Sequence, residues 1–435
     1  MHSVGRRVSA RIGGLAVAAV AALFASSVGA SGAAPIVIDD SELQATTTTV
    51  GGASPLSTDR TVQHWFGSTL DPQNGVTYGY NMVGADPASN GSATIEVDIT
   101  PVNVNFDGLT FSGSDALAAT LASPQFTTND YGSTSAATAA ASFPKAPALI
   151  RGGGGALSQG DAGNSLQLQD ATMRAQFKKT GSSTFHLLLH PNVLPAETID
   201  VPSPQGVLLK SGRGVVGAGI NATWWVTRIQ NLITKADPTH LAIYLTNNVF
   251  LQVGLKCCII GFHGAGLVPG EGAGNTHGNG NQPVQTFVWA SWVQPGFYAR
   301  ANGGTDWALQ DIHSLGHEIA EWADDPFVNN AVEPWLTATA PQYGCTGLLE
   351  TGDPVVAIGF AKGTNTYQQG PNPNGTHSAD GFYHPEDEAL LPWFLRTAPN
   401  PGSEPTQSPS ANVGRYTLMG SLNPFPSFQV PATGC

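Results

Sequence analysis

Within the run Asp306–Phe327 (Asp-Trp-Ala-Leu-Gln-Asp-Ile-His-Ser-Leu-Gly-His-Glu-Ile-Ala-Glu-Trp-Ala-Asp-Asp-Pro-Phe), residues able to do chemistry recur at helical spacing. His313, His317 and Glu321 follow one another at i, i+4 and i+8, so on a helix they stack along one stripe with Asp324 close by. Imidazole and carboxylate are donors that hold zinc, and Glu318, one step round from His317, is placed to act as a general base. The chemistry this predicts is metal-assisted hydrolysis: a cation polarises a carbonyl and acidifies bound water, and Glu318 takes the proton. The other side of the run carries Ala308, Ile312, Leu315, Ile319 and Trp322, an apolar face that must be packed.

Zinc helices of the pattern His-Glu-x-x-His have a second histidine where this chain has Glu321. A third ligand is therefore needed. The tight acidic loop Glu350-Thr351-Gly352-Asp353-Pro354 is the expected source, with Glu350 preferred, then Asp353, then His313. His313 ranks last because i to i+8 spans about 12 Å of helix axis, so the pair can share a metal but the trio cannot. One imidazole with two carboxylates is an oxygen-rich set; zinc is the expected ion, with calcium or manganese as the alternatives. The competing reading is a plain amphipathic helix whose Glu318 and Glu321 sit in water. His186 and His190 fall on one face of a short strand but roughly 13 Å apart, too far to share a metal. His263 and His277 stand in or beside a glycine-rich stretch, where an isolated histidine is more often neither ligand nor lid.

Across 435 residues, only 11% are charged and the formal balance is −13, which argues against nucleic acid and anionic membranes as main partners. Arg6, Arg7 and Arg11 precede the apolar run Ile12 to Ala25, and Val28-Gly29-Ala30 is a small-residue cleavage site, so residues 1–30 read as a signal peptide and the protein as secreted. The paired Arg6-Arg7 leaves general and twin-arginine export both open. Four cysteines in an exported chain favour disulfides. Adjacent Cys257 and Cys258 are poorly placed to bond each other, so each is expected to take one of Cys345 and Cys435. Composition divides the rest into a Thr/Ser/Gly-rich mobile lead-in (31–61), an N-terminal α+β region (62–200), the region holding the metal-site helix (201–398), a Pro/Ser-rich linker (399–412) and a tail tethered by Cys435 (413–435). A strand from Gln285 to Val293 precedes the helix, an order in which an edge strand can hold an extended peptide.

Four stretches together resemble a group of secreted bacterial proteins: Cys257 to His263, Gly316 to Trp322 continuing through Asp324-Asp325-Pro326-Phe327, Leu349 to Pro354, and Asp387-Glu388-Ala389. The His-Glu-x-x-Glu helix followed by a Glu-x-Gly-Asp loop is similar to the plant EXORDIUM, or phosphate-induced, proteins, and more remotely to zincin metallopeptidases. The resemblance covers the second half of the mature chain and, more loosely, the strands near Ile95 to Phe111. It implies an α+β fold, a mixed sheet packed on helices with a zincin-like site helix, and His317, Glu318, Glu321 and Glu350 as active-site residues. Two positions depart from it: Glu321 replaces the second histidine of the peptidases, and Gly316 stands where the relatives tend to have serine. The expected function is a secreted zinc metallopeptidase-like hydrolase acting on a peptide or protein. The alternative is a secreted or cell-surface interaction protein that keeps the fold without turnover.

Overall fold

A computed structural model of the chain describes residues 37–39, 58–129, 131, 165–179, 183–211, 215–254, 256–268, 282–294, 297, 310–336, 345–356, 359–360, 362–367, 382–398, 416–418 and 430–435. The expected signal peptide (1–30) and linker (399–412) lie outside the described residues, as do Ala308 and His277. Within Leu241–Asn247 and Gln282–Trp292, residues 241–245 and 287–290 are unbroken runs of aliphatic and aromatic residues, the pattern of strands buried on both faces. Both lie inside the main sheet. Its order is Val37–Asp39, Gly261–Leu267, Gln282–Trp292, Leu241–Asn247, Ser92–Phe106, Leu109–Ser112. His186–Val193 and Glu197–Asp200 also pair with Ser92–Phe106, and Thr58–Arg60 pairs with Gln282–Trp292.

Leu241–Asn247 is parallel to both of its neighbours, whereas Gly261–Leu267 runs antiparallel to Gln282–Trp292. The sheet is thus mixed and the class α+β, as expected. Strands from both sides of residue 200 share it, and Val37–Asp39 and Thr58–Arg60 come from the stretch read as a lead-in. Gln282–Trp292 is flanked on both sides and is not an edge strand. The chain doubles back antiparallel before entering it, so Gly261–Leu267 lies outside it, with Val37–Asp39 antiparallel beyond.

Alternation along the strands sends Ile243, Leu245, Val288 and Ala290 to one face and Ala242, Tyr244, Phe287 and Trp289 to the other. The helix Ala222–Ile233, capped by Asn221 accepting from Trp224 N at 2.9 Å, packs Trp225 and Ile229 on the second face. The first face receives the helix His313–Asp324, the site helix, through Leu315, Ile319 and Trp322. Burial of each such side chain contributes about 1.5–3 kcal/mol. Two polar pins fix the helix to Gln282–Trp292: Trp322 Nε1 donates to Thr286 Oγ1 at 3.0 Å, and Ser314 Oγ donates to the Ser291 carbonyl at 2.8 Å.

Every residue of the site helix is buried, including its acidic side. The reading in which Glu318 and Glu321 sit in water therefore fails: segments 345–356 and 382–390 fold over the polar stripe, leaving Glu318 5% and Glu321 3% exposed. A disulfide joins Cys345 to Cys435, with Cα atoms 6.0 Å apart, so the expectation that each of these pairs with one of Cys257 and Cys258 fails. The cause is the small sheet around Ala331–Leu336, where Trp335 faces Thr346 on one side and Gly434 on the other, bringing the two adjacent cysteines together. Among the described residues, no helix is long and apolar enough to cross a membrane.

Candidate metal centre

Four segments meet over the polar stripe of the site helix. In Gly261–Leu267, Phe262 packs into the core on the far face, so alternation turns His263 toward the helix, in register with Val288 of the near face. Gly261 points the same way, and a Cβ there would lie 2.5 Å from Glu318 Oε1; only glycine lets the strand come this close. The loop after Glu350 donates two backbone N–H groups, from Gly352 (3.1 Å) and Asp353 (3.2 Å), to Glu321 Oε1. Gly352 lies against the His317 imidazole, where a side chain would clash with Nδ1. The fourth segment, 384–388, is joined to that loop by Ala389 N donating to the Thr351 carbonyl at 2.8 Å. It is anchored at His384, whose Nδ1 lies 2.7 Å from Asp311 Oδ2 at the start of the helix.

His317 is held from both ring nitrogens. Its Nδ1 lies 3.0 Å from Glu386 Oε2, an acceptor that keeps the proton on Nδ1 and leaves Nε2 to bind a cation. Nε2 lies 3.1 Å from Glu321 Oε2 and 3.8 Å from Asp353 Oδ1. Ligand atoms about 2.1 Å from a four-coordinate cation stand about 3.4 Å apart, so these separations suit a shared ion. His317, Glu321 and Asp353 bring their ligand atoms within 4.8 Å of one another, and so do His263, Glu321 and Glu350. These buried groups can hold a metal ion. Glu386 Oε1 and both carboxylate oxygens of Glu388 are buried without a hydrogen-bond partner, a costly state that a cation would relieve.

The electrostatics follow from burial and crowding. Burial works against charge on His317, but Glu321, Glu386 and Glu318 around it prevail and raise its pKa well above the usual histidine value. Burial raises the Glu318 carboxyl to about 7, with His317 and His263 opposing and Glu321 adding to the rise. Glu321 is also buried, yet His317 and His263 pull it down to about 2, so it stays ionised. Glu388 is pushed well above the usual carboxylate range by burial and by Glu386.

Each residue singled out from sequence can now be placed. Glu321 and Asp353 face His317 Nε2, and Glu318 lies beside the pair with Oε2 3.6 Å from His263 Nδ1. Glu350 is grouped with His263 and Glu321 rather than with His317. His313 belongs to neither group; its Nε2 lies 2.6 Å from Glu386 Oε2, at an angle that makes no hydrogen bond. Sequence reasoning passed over Glu386 as a partner of His317 and treated His263 as isolated. A signal was present in His384-Pro385-Glu386-Asp387-Glu388, a dense charged run in a chain with only 11% charged residues. No protein-family model, curated protein or solved structure matches this chain.

Proposed function

We propose that this protein is a metal-dependent hydrolase acting on peptide bonds, with a divalent cation held by His317, Glu321 and Asp353 and with Glu318 as general base. The observation that carries this reading is the convergence of those three ligand atoms within 4.8 Å beside a carboxyl group held near neutrality. Zinc is the first expectation; manganese and calcium also suit an oxygen-rich donor set. When bound, the cation supplies Lewis acidity toward a carbonyl oxygen and makes water more acidic.

The chain's own residues do the rest. Glu318, with a pKa of about 7, accepts a proton at working pH and returns it to the leaving group. Glu386 fixes the tautomer and ring plane of His317, and the Gly352 and Asp353 amides fix the Glu321 carboxylate. His317, Glu318 and Asp353 retain 8%, 5% and 5% exposure while Glu350 and Glu386 have none, so a substrate approaches from their side. A peptide is favoured because the sheet edge at this site already carries an extended segment, with Asp39 opposite His263. The similarity of the His-Glu-x-x-Glu helix to zincin peptidases points the same way.

The same burial supports a second reading, an interaction protein in which a metal only closes the fold, since structural sites are sealed and catalytic ones keep a position open. Metal analysis of the purified protein together with cleavage of an unstructured protein substrate separates the two. Chelator-sensitive cleavage, lost in Glu318→Gln with metal retained, is the expected result. Absence of bound divalent metal, with no change in His317→Ala, would overturn the proposal.

A further inference from the structure

We propose that the centre holds two divalent cations, one gripped by His317, Glu321 and Asp353 and the other by His263, Glu321 and Glu350, with Glu321 Oε2 shared between them. This extends the hydrolase reading and rests on it for the first ion. Glu321 Oε2 lies 3.1 Å from His317 Nε2 and 3.6 Å from His263 Nδ1, so one oxygen faces both imidazoles. The other oxygen is held by the Gly352 and Asp353 amides, which prevents the carboxylate from turning toward one histidine alone. The two imidazoles fall into separate groups whose common member is Glu321. They also arrive on separate supports, His263 from a strand and His317 from a helix, both fixed by the core. Paired catalytic ions about 3.5–4 Å apart are commonly held in this way.

The charge of the site points the same way. Glu318, Glu321, Glu350, Asp353, Glu386, Asp387 and Glu388 are all buried here, against the three imidazoles of His263, His313 and His317. One divalent ion balances at most two of those carboxylates, in a medium where unpaired charge is costly. An independent sign is Glu388, 1% exposed, whose oxygens have no hydrogen-bond partner and whose charged neighbours are Glu386, His317 and Glu321.

The test is metal stoichiometry of the intact protein loaded separately with Zn²⁺ and with Mn²⁺, followed by electron paramagnetic resonance of the Mn²⁺ form. Two equivalents per chain and an exchange-coupled Mn²⁺ spectrum are expected. His263→Ala and Glu350→Gln should each lower the count to one and leave an isolated-ion spectrum, as should Asp353→Asn from the other side. One equivalent in the unaltered protein, still bound after His263→Ala, would overturn the second ion and leave the hydrolase reading intact. No bound equivalent would overturn both. Two equivalents without coupling would refute the shared oxygen, and the unaltered protein gives that answer even if a variant fails to fold.

Discussion

Along the side of the sheet formed by His186–Val193, each histidine meets one principal acidic partner: His186 meets Asp170 at 2.7 Å, and His190 meets Glu96 at 2.8 Å. Nearby, His240 meets Asp98 at 2.9 Å. These rings keep contact with water. At the candidate metal centre, His317 alone lies within 4 Å of Glu321, Glu386 and Asp353, and all four are buried. The chemistry of the contact is the same in both regions, but solvent and stoichiometry differ. A histidine with one carboxylate near the surface is a structural unit worth little, whereas three imidazoles buried with seven carboxyl groups can take up added positive charge.

The largest effect that would sharpen this contrast is at Glu318. Glu318→Gln should lower hydrolysis by about 10²–10⁴-fold while leaving metal content unchanged. Chelation comes next, because an ion present at a hundred times its dissociation constant contributes about 2.7 kcal/mol. In a chain of this size, removing it should lower Tm by roughly 3 °C, read by calorimetry. A similar drop after His317→Ala, with no further effect of chelator, would assign the loss to the centre.

Asp324 supplies a pH test on the same helix. Burial raises its carboxyl to about 7 despite a hydrogen bond from Gln176, so the folded protein holds a proton there that the unfolded chain releases near pH 4. Its contribution is fully present below about pH 4 and is lost as pH rises toward about 7. Asp324→Asn should therefore gain stability over the parent as pH rises, on the order of 2 kcal/mol at pH 8, with the difference vanishing near pH 4. A constant difference across that range would show that the group titrates normally.

Gly352→Ala should have a smaller effect on folding, about 1–2 kcal/mol, because the loop must back away from the His317 ring. Metal affinity should fall by about 10–100-fold as His317 loses its fixed orientation. The smallest change is expected in the other region: His190→Gln, at a side chain 63% exposed, should leave Tm within about 2 °C and metal content untouched. A large loss there would break the contrast between the two kinds of histidine contact.

Local spacing made part of this legible. The i, i+4 placement of His317 and Glu321 follows from helical periodicity, and the apolar stripe of Leu315, Ile319 and Trp322 meets the sheet as that periodicity demands. The turn at Asp107-Gly108 and the strand that leads into it were equally local, and both residues adopt positive φ, 50° and 77°. The Cys345–Cys435 bond was not legible, because it depends on which strands flank Trp335. Nor was the role of Glu386, which reaches His317 from a sequence distance of 69 residues.

The sequence alone determined which donor types lie on one face of a helix and that a tight Gly/Asp loop carries further acids, since backbone periodicity orders neighbours over a turn or two. It could not say which acid faces which imidazole, or that the whole polar stripe is buried. Those outcomes were decided by the packing of a strand, a helix and two remote segments against one another. Side-chain distances of 3 to 4 Å between such segments depend on how the whole core closes.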